Sequence, residues 1–574
     1  MKRWSKYVKP YLKYFILGPL SMIVEIVGEI LMPSFLAKII DGGIASGDWG
    51  YVILMSCLMV ALAIVMMLGG IGGAWFGAKA SGNFATDLRL DVYKKIQDFS
   101  FTNIDKFSTS SLITRLTNDI TQLQTFINML LRMCLRSPGI LIGALIMAVI
   151  IAPRLSLVLC VSIPLIIAIQ AVVISKSFKR FSKMQEKIDG LNSSVGENIT
   201  NVRVVKSFNR EEYEKKKFAK ANRNLKDAGM SAMKLMILSS PLMTLVMNFT
   251  SVAVLLIGGK TVIDNPFGLS IGSLSAFMTY LSQILMSLTM LSMLFVFASR
   301  AMASGKRICE VLDERIDIES ADSDARVENG SIEFENVSFR YYKDSPEPVL
   351  DNVSFKVKAG STVGIIGTTG SGKSTLVSLI PRLYDVSDGR VLVDGVDVRE
   401  YDLKNLREGV SMVLQNNVLF SGTVAQNLRF GDESASDGEL AEAAKAAQAD
   451  KFVSSFEGGY DYLVTRGGTN VSGGQKQRLC IARALIAKPK ILILDDSTSA
   501  VDTATEASIR KSLRELENTT KIIIAQRVSS VVAADVIIVM ANGKISGMGT
   551  HKELLATNGE YREIYNSQIS AQEE

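Results

Sequence analysis

Six long apolar runs, near residues 14–40, 51–78, 137–153, 155–176, 240–263 and 270–299, dominate the first half of the chain. Each is about long enough to cross a ~30 Å hydrocarbon core as a helix. The third and fourth are separated only by "APRLS". Two polar segments, 81–136 and 179–239, contain no proline, and apolar residues recur in them at helical spacing, as Leu112, Leu116, Ile120 and Leu123 do. Neither alternates like a strand nor holds enough apolar surface for a core of its own, so both read as membrane helices that continue into water and turn back. Beyond residue 330 short β-branched strands alternate with helical stretches, the pattern of an α/β domain of about 240 residues. Residues 301–330 are charged and lack long apolar runs. The expected organisation is a six-helix transmembrane domain over 1–300, a linker over 301–330 and an α/β domain over 331–574.

Charge orients the spans. Lys2, Arg3, Lys6 and Lys9 precede the first run, and "RLDVYKKIQDF" and "SKSFKRFSKMQEK" follow the second and fourth, whereas "DGGIASGDWG" carries two acids and no base. Both termini are expected on the cytoplasmic side of the cytoplasmic membrane, with "MKRWSKYVKPYLK" an interfacial helix leading into a retained span. The net charge of +6 is what such loops require and implies no nucleic-acid partner. Five scattered cysteines lack the spacing of a disulfide framework, and a single histidine, His551, rules against a histidine-built metal site.

Polar residues inside the spans are costly and mark interiors or watery cavities. Glu25 and Glu29 lie four residues apart on one helical face, and two readings are open: they attract cationic substrates, or they bond to neighbouring helices. Met286, Met290 and Met293, with Gln283 nearby, form a flexible face suited either to a promiscuous binding wall or to plain packing. Gly69, Gly73 and Gly77 permit close helix approach.

"VGIIGTTGSGKST" carries the plainest chemistry. Gly367, Gly372, Lys373 and Ser374 match G-x-x-x-x-G-K-[ST] directly after a strand and before a helix, the context this phosphate cradle needs. Backbone N–H groups of Thr368, Thr369, Gly370, Ser371 and Thr375 would wrap phosphates, Lys373 would neutralise the β/γ oxygens of ATP, and Ser374 would ligate Mg²⁺. The strand "ILILD" would deliver Asp495 to the Mg²⁺ shell, leaving Asp496 within reach of the attacking water. Ser472, Gly473, Gly474 and Gln475 open a basic helix and make a second anion site. One nucleotide cannot easily fill both cradles, so two such domains are expected to face each other.

Six spans followed by a Walker A loop, "SGGQ" and a Walker B strand resemble a half-transporter of the ABC exporter family, of the multidrug type. That resemblance implies a six-helix transmembrane domain fused to an α/β P-loop ABC nucleotide-binding domain. It implies that Tyr341 in "VSFRYY" stacks on adenine, that Gln415 in "MVLQNN" reaches the Mg²⁺ and γ-phosphate side, and that Asp502 in "SAVD" addresses the opposite site. It also makes "IDKFSTSSLITRLTND" and "ENITNVRVVKSFNRE" the two cytoplasmic arm tips.

Two positions depart from the family pattern. Active members carry Glu after the Walker B aspartate and His in the switch segment, where this chain has Asp496 and Gln526. Aspartate is shorter by about 1.5 Å, and a misplacement near 1 Å costs on the order of 10²-fold. Glutamine can hydrogen-bond but cannot titrate. Thr465 stands where relatives often carry Glu, removing a polar contact toward the partner's arms. Binding residues are kept while hydrolytic ones are altered, which implies a heterodimer whose other subunit supplies Glu and His. The expected function is ATP-driven export of amphiphilic, drug-like molecules. A homodimeric lipid or peptide exporter and an ATP-gated channel or regulatory subunit are the alternatives.

Overall fold

The computed structural model describes residues 3–264, 269–342, 345–498 and 500–573. Two compact units emerge, one of Met1–Gln97 with Thr109–Glu314, the other of Asp98–Ser108 with Arg315–Glu574.

The first unit is all helix. Its six long helices are Leu12–Lys38, Trp49–Gln97, Ile120–Ile151, Leu159–Thr200, Glu211–Asp264 and Ile271–Asp313. Each contains one of the apolar runs, and all six candidate spans are long and apolar enough to cross a membrane. The glycine stripe of the second helix lies against the first. A Cβ on Gly69 would stand 2.9 Å from the carbonyl oxygen of Ser21, so no larger residue fits without moving backbone. The third and sixth helices pack through Ala144 and Ala148 against Phe277, Leu281 and Ile284, all fully buried. Tyr280 belongs to the same cluster and donates its hydroxyl to the carbonyl of Ile30 at 2.7 Å. The fourth and fifth helices join that cluster through Leu159, Ile166, Val246 and Val254. Farther along, Phe208, Ile237 and Leu238 of the same hairpin are largely exposed.

Residues 301–313, expected to begin a linker, instead complete the sixth helix. Their charges have partners on neighbouring helices. Arg307 Nε donates to Asp119 at 2.8 Å, Ser304 donates to the same carboxylate, and Arg115 pairs with Glu310 at 3.1 Å. A charged stretch can therefore remain helical beyond the apolar run.

The second unit is built on sheets. β1 (Ile332–Phe339), β2 (Leu350–Val357), β4 (Asp388–Val393) and β5 (Val396–Asp397) form an antiparallel sheet in the order β2-β1-β4-β5. β3 (Thr362–Gly367), β6 (Val410–Val413), β9 (Ile491–Asp495), β10 (Thr520–Ile524), β11 (Val536–Ala541) and β12 (Lys544–Gly549) form the central sheet in the order β12-β11-β3-β10-β9-β6. It is parallel except for β12. Strands covered on both faces should be continuously apolar, and all five residues of β9 are buried. β7 (Gly422–Thr423) and β8 (Leu463–Val464) pair in a small separate ribbon.

Residues 315–330 belong to this unit. Asp394, in the β4–β5 turn, accepts from the backbone N–H groups of Glu328, Asn329 and Ser331 at 2.8–2.9 Å. Burial alone would raise its pKa, yet these donors hold it below the usual carboxylate range.

Two outcomes follow. Gly69→Val should lower stability in detergent by about 1–3 kcal/mol through overpacking, whereas Gly82→Ala, with nothing within 4 Å of the added Cβ, should be neutral or stabilising. A thermal-shift series reads both. Asp394 has a depressed folded pKa, so its contribution is present above the unfolded value of about 3.9 and lost as pH falls through the folded value. Asp394→Asn should therefore show a smaller fall in Tm between pH 6 and pH 3 than wild type.

Candidate nucleotide site

Parallel strands place the loops that follow them at one edge, where α/β proteins bind ligands. In register, Ile524 of β10 lies between Ile365 of β3 and Asp495 of β9, and Leu494 faces Val413 of β6. The loops leaving these four strands begin with Thr368, Asp496, Ala525 and Leu414. Sheet register thus gathers the phosphate loop, the two aspartates, Gln526 and Gln415 at one edge.

Thr368, Thr369, Gly370, Ser371 and Gly372 form the loop between β3 and the helix Lys373–Ser378. Gly372 caps that helix at φ +94°, a left-handed conformation that L side chains resist, and a Cβ there would meet the Val349 carbonyl at 3.0 Å. Lys373 folds back over the loop and donates to the carbonyls of Gly367 and Thr368 at 3.0 and 2.7 Å. Burial lowers its pKa, while Asp495 and Asp496 act in the opposite sense. Ser374 donates to Asp495 at 3.0 Å, so two of the three expected Mg²⁺ ligands meet. Burial keeps the Asp495 carboxyl above the usual range, opposed by Ser374 and Lys373. One hydroxyl, one buried carboxylate and an ammonium beside a loop of backbone donors fit Mg²⁺-ATP, since Mg²⁺ is ordinarily held by one or two carboxylates plus phosphate oxygens and water. Gln415 is exposed and bonds to neither Ser374 nor Asp495.

Asp496 stands at φ +46°, a region in which Asp and Asn are enriched. Its N–H donates to the Ile524 carbonyl at 3.1 Å, and Gln526 Nε2 donates to its Oδ2 at 2.8 Å. The two positions that depart from the family pattern therefore bond to each other. Burial raises the Asp496 pKa, offset by Gln526, Lys373 and Arg527. Such a pair can orient a water or a phosphate oxygen by hydrogen bonds, but it has no imidazole to accept a proton.

A residue without any sequence signal holds this arrangement. Gln568, on the C-terminal helix, accepts from the N–H of Val528 and donates to the carbonyl of Gln526, each at 2.8 Å. One amide thus fixes the switch backbone on both sides of Arg527.

Ser472 and Gln475 form a reciprocal capping box at the start of the helix Gly473–Ile486. Gly474 is small for a nearer reason than phosphate: a Cβ would lie 2.8 Å from the carbonyl oxygen of Ala500. Gln477 of the same helix accepts from the Ala500 N–H at 3.0 Å. Asp502 caps the helix Thr503–Arg514 by accepting from Thr505 N–H at 2.9 Å. Tyr341 is exposed, with its hydroxyl 2.9 Å from that of Thr375.

Of the two readings open for Glu25 and Glu29, the structure shows bonds to a neighbouring helix. Arg136 of the third helix pairs with Glu25 and Glu29 together, at 3.2 Å each. Gln283 donates to the Glu29 carbonyl. The glutamates therefore belong to an ionic triad, which the i, i+4 spacing alone could not reveal because Arg136 is a hundred residues away. Met286 and Met290 are exposed, and the Met293 side chain lies outside the described residues.

Known proteins bear out the class. Residues 15–288 match the ABC transporter transmembrane region and 350–499 match the ABC transporter family model. The chain is 37% identical over 569 residues to the ABC transporter ATP-binding protein YfiB of Bacillus subtilis (strain 168), covering 99% of each. It is 35% identical over 478 residues to a fatty acid ABC transporter ATP-binding/permease protein of Mycobacterium tuberculosis, covering 83% of this chain and 75% of that one. The structure of a bacterial Atm1-family ABC exporter with ATP bound superposes with a TM-score of 0.79 at 26% identity over 98% of both chains. This chain belongs to the ABC transporter family. More narrowly, it is a multi-pass, ATP-driven exporter, a transport ATPase of a class that works as dimers.

Replacing Gln568 by Ala removes the acceptor for Val528 N–H, so that amide should exchange with deuterium at least about tenfold faster. The Ser374–Asp495 pair, held elsewhere, should leave nucleotide affinity within a few-fold of wild type, as a fluorescent-nucleotide titration would show.

Proposed function

We propose that this chain is one half of a heterodimeric exporter of amphiphilic molecules, holding an ATP site that binds better than it hydrolyses. The observation that carries the reading is the Gln526–Asp496 hydrogen bond beside an otherwise complete cradle. A shortened carboxylate engaged by an amide has neither the reach of Glu nor the titratable imidazole of the Glu–His pair. Tyr341, the phosphate loop, Lys373, Ser374, Gln415 and Asp495 bind Mg²⁺-ATP in this proposal. Ser472 to Gln475 and Asp502 serve the facing site, whose own chain supplies Glu and His. The chain sits in the cytoplasmic membrane with both termini and the nucleotide-binding domain inside the cell.

The triad and the methionines support a cationic, amphiphilic cargo. Two carboxylates against one guanidinium leave a formal charge of −1, and the sixth helix, whose Gln283 reaches the Glu29 carbonyl, exposes Met286 and Met290, a setting for a cationic head and an apolar body. A second reading has one supporting observation, the fatty-acid relative: an acidic amphiphile would use Arg136 instead. Stimulation of ATPase by alkylammonium or by fatty acid separates the two.

The decisive experiment uses the purified chain without any partner. Wild type should bind ATP normally and hydrolyse it slowly, and the double variant Asp496→Glu, Gln526→His should hydrolyse at least about tenfold faster. Fast, substrate-stimulated hydrolysis by wild type that disappears in Lys373→Ala would overturn the degenerate-site assignment.

A further inference from the structure

Residues Asp98–Ser108, which take in the beginning of the first expected arm tip (104–119), belong to the nucleotide-side unit. Ser100 and Asn103 form a capping box at the start of the short helix Phe101–Lys106, and Asn103 Nδ2 donates to the carbonyl of Arg315 at 2.9 Å. The tip also meets an aromatic side chain of the same unit, Tyr384. Tyr384 donates its hydroxyl to Asp105 Oδ2 at 2.9 Å, and its ring lies 5.9 Å from that of Phe101. The opposite side of Tyr384 meets Tyr341 at 5.2 Å and 89°, an edge-to-face contact. Buried Phe339 packs on both tyrosines, at 4.9 and 5.6 Å. Tyr341 in turn reaches Thr375, in the first turn of the helix that follows the phosphate loop.

Tyr384 is well placed not to drift. It follows Arg382, which is buried, binds Asp385 through two nitrogens and donates to the carbonyl of Glu319. Burial, reinforced by the Asp105 carboxylate, pushes the Tyr384 phenol above its ordinary range, so the proton stays on the tyrosine and is donated to the arm.

We infer that Tyr384 is a positioning residue that reports occupancy of the Tyr341–Thr375 end of the nucleotide site to the first arm tip through Asp105. A base laid on Tyr341, or phosphates competing for Thr375, must shift the Tyr341 ring or break its bond to Thr375. The edge-to-face contact passes that change to Tyr384, whose hydroxyl holds Asp105 of the tip. The relay rests on the proposed binding of ATP at this cradle, and its test separates the two.

Hydrogen–deuterium exchange of the full chain in lipid nanodiscs, with and without Mg²⁺-ATP, reads the peptide covering 98–108, while a fluorescent-nucleotide titration reads affinity. Wild type should show at least threefold slower exchange of 98–108 with ATP, and inorganic triphosphate, which has no base, should give less than half that effect. Tyr384→Phe and Asp105→Ala should each abolish the ATP-dependent difference while leaving affinity within twofold, and Asp105→Asn, which keeps an acceptor oxygen, should retain most of it. A tyrosine that merely packs would change exchange equally with and without ATP, and that result overturns the relay. So does a Tyr384→Phe protein that keeps the full ATP response, or a wild type that binds ATP with no change at 98–108. Failure of wild type to bind ATP would instead overturn the nucleotide reading on which the relay rests.

Discussion

Hydrogen-bonded register between β9 and β10 is the constraint on which the nucleotide-side unit depends. Ile524 faces Asp495 across that pair. A slip of one residue would turn every side chain of β9 to the opposite face, taking the carboxylate away from Ser374. The same slip would part Asp496 from Gln526, because each follows its strand by only one or two residues. Register is protected by burial on both faces: Ile491 to Leu494 and Ile522 and Ile524 contribute to the cores on either side of the sheet. The chemistry at the edge is thus positioned by aliphatic packing several residues below it.

Charge is handled by a different rule in the helical unit. Removing ions from water is expensive, and a buried pair seldom repays the whole cost in stability. What such pairs do fix is which helix faces which. Asp119 ties the third helix to the sixth through Arg307 and Ser304, and Arg136 ties the third to the first through both glutamates. These polar ties act at separate heights along the helix, and small-residue packing at Ala144 and Ala148 follows beyond Arg136. The third helix is thereby the one against which two others are set.

Much of this could be read from residues alone, because the signals are local. Six apolar runs, the strand–loop–helix context of "GTTGSGKST" and the aliphatic run ending in Asp495 each depend on neighbours within about ten positions. Register then realised the predicted meeting of Ser374 with Asp495. Contacts between distant segments were illegible. Nothing near Glu25 indicates Arg136, nothing near Gln526 indicates Gln568, and the charges of 301–313 looked like a linker because their partners at 3, 115 and 119 come much earlier in the chain. Gly474 carries a constraint its own motif does not reveal, since the carbonyl of Ala500 already occupies the place of a side chain.

That carbonyl has a further consequence. With no side chain between them, and with the Gln477 amide oxygen accepting from the same residue's N–H, the start of the signature helix and the segment leaving β9 are in direct backbone contact. They form one stiff bracket, with Asp495 at one end and Ser472 at the other. A bracket of this kind cannot insulate the pocket it belongs to from the pocket its far end would close. In the proposed dimer a shift at Asp495 would carry Ser472 with it, so that events at one nucleotide would be felt at the other.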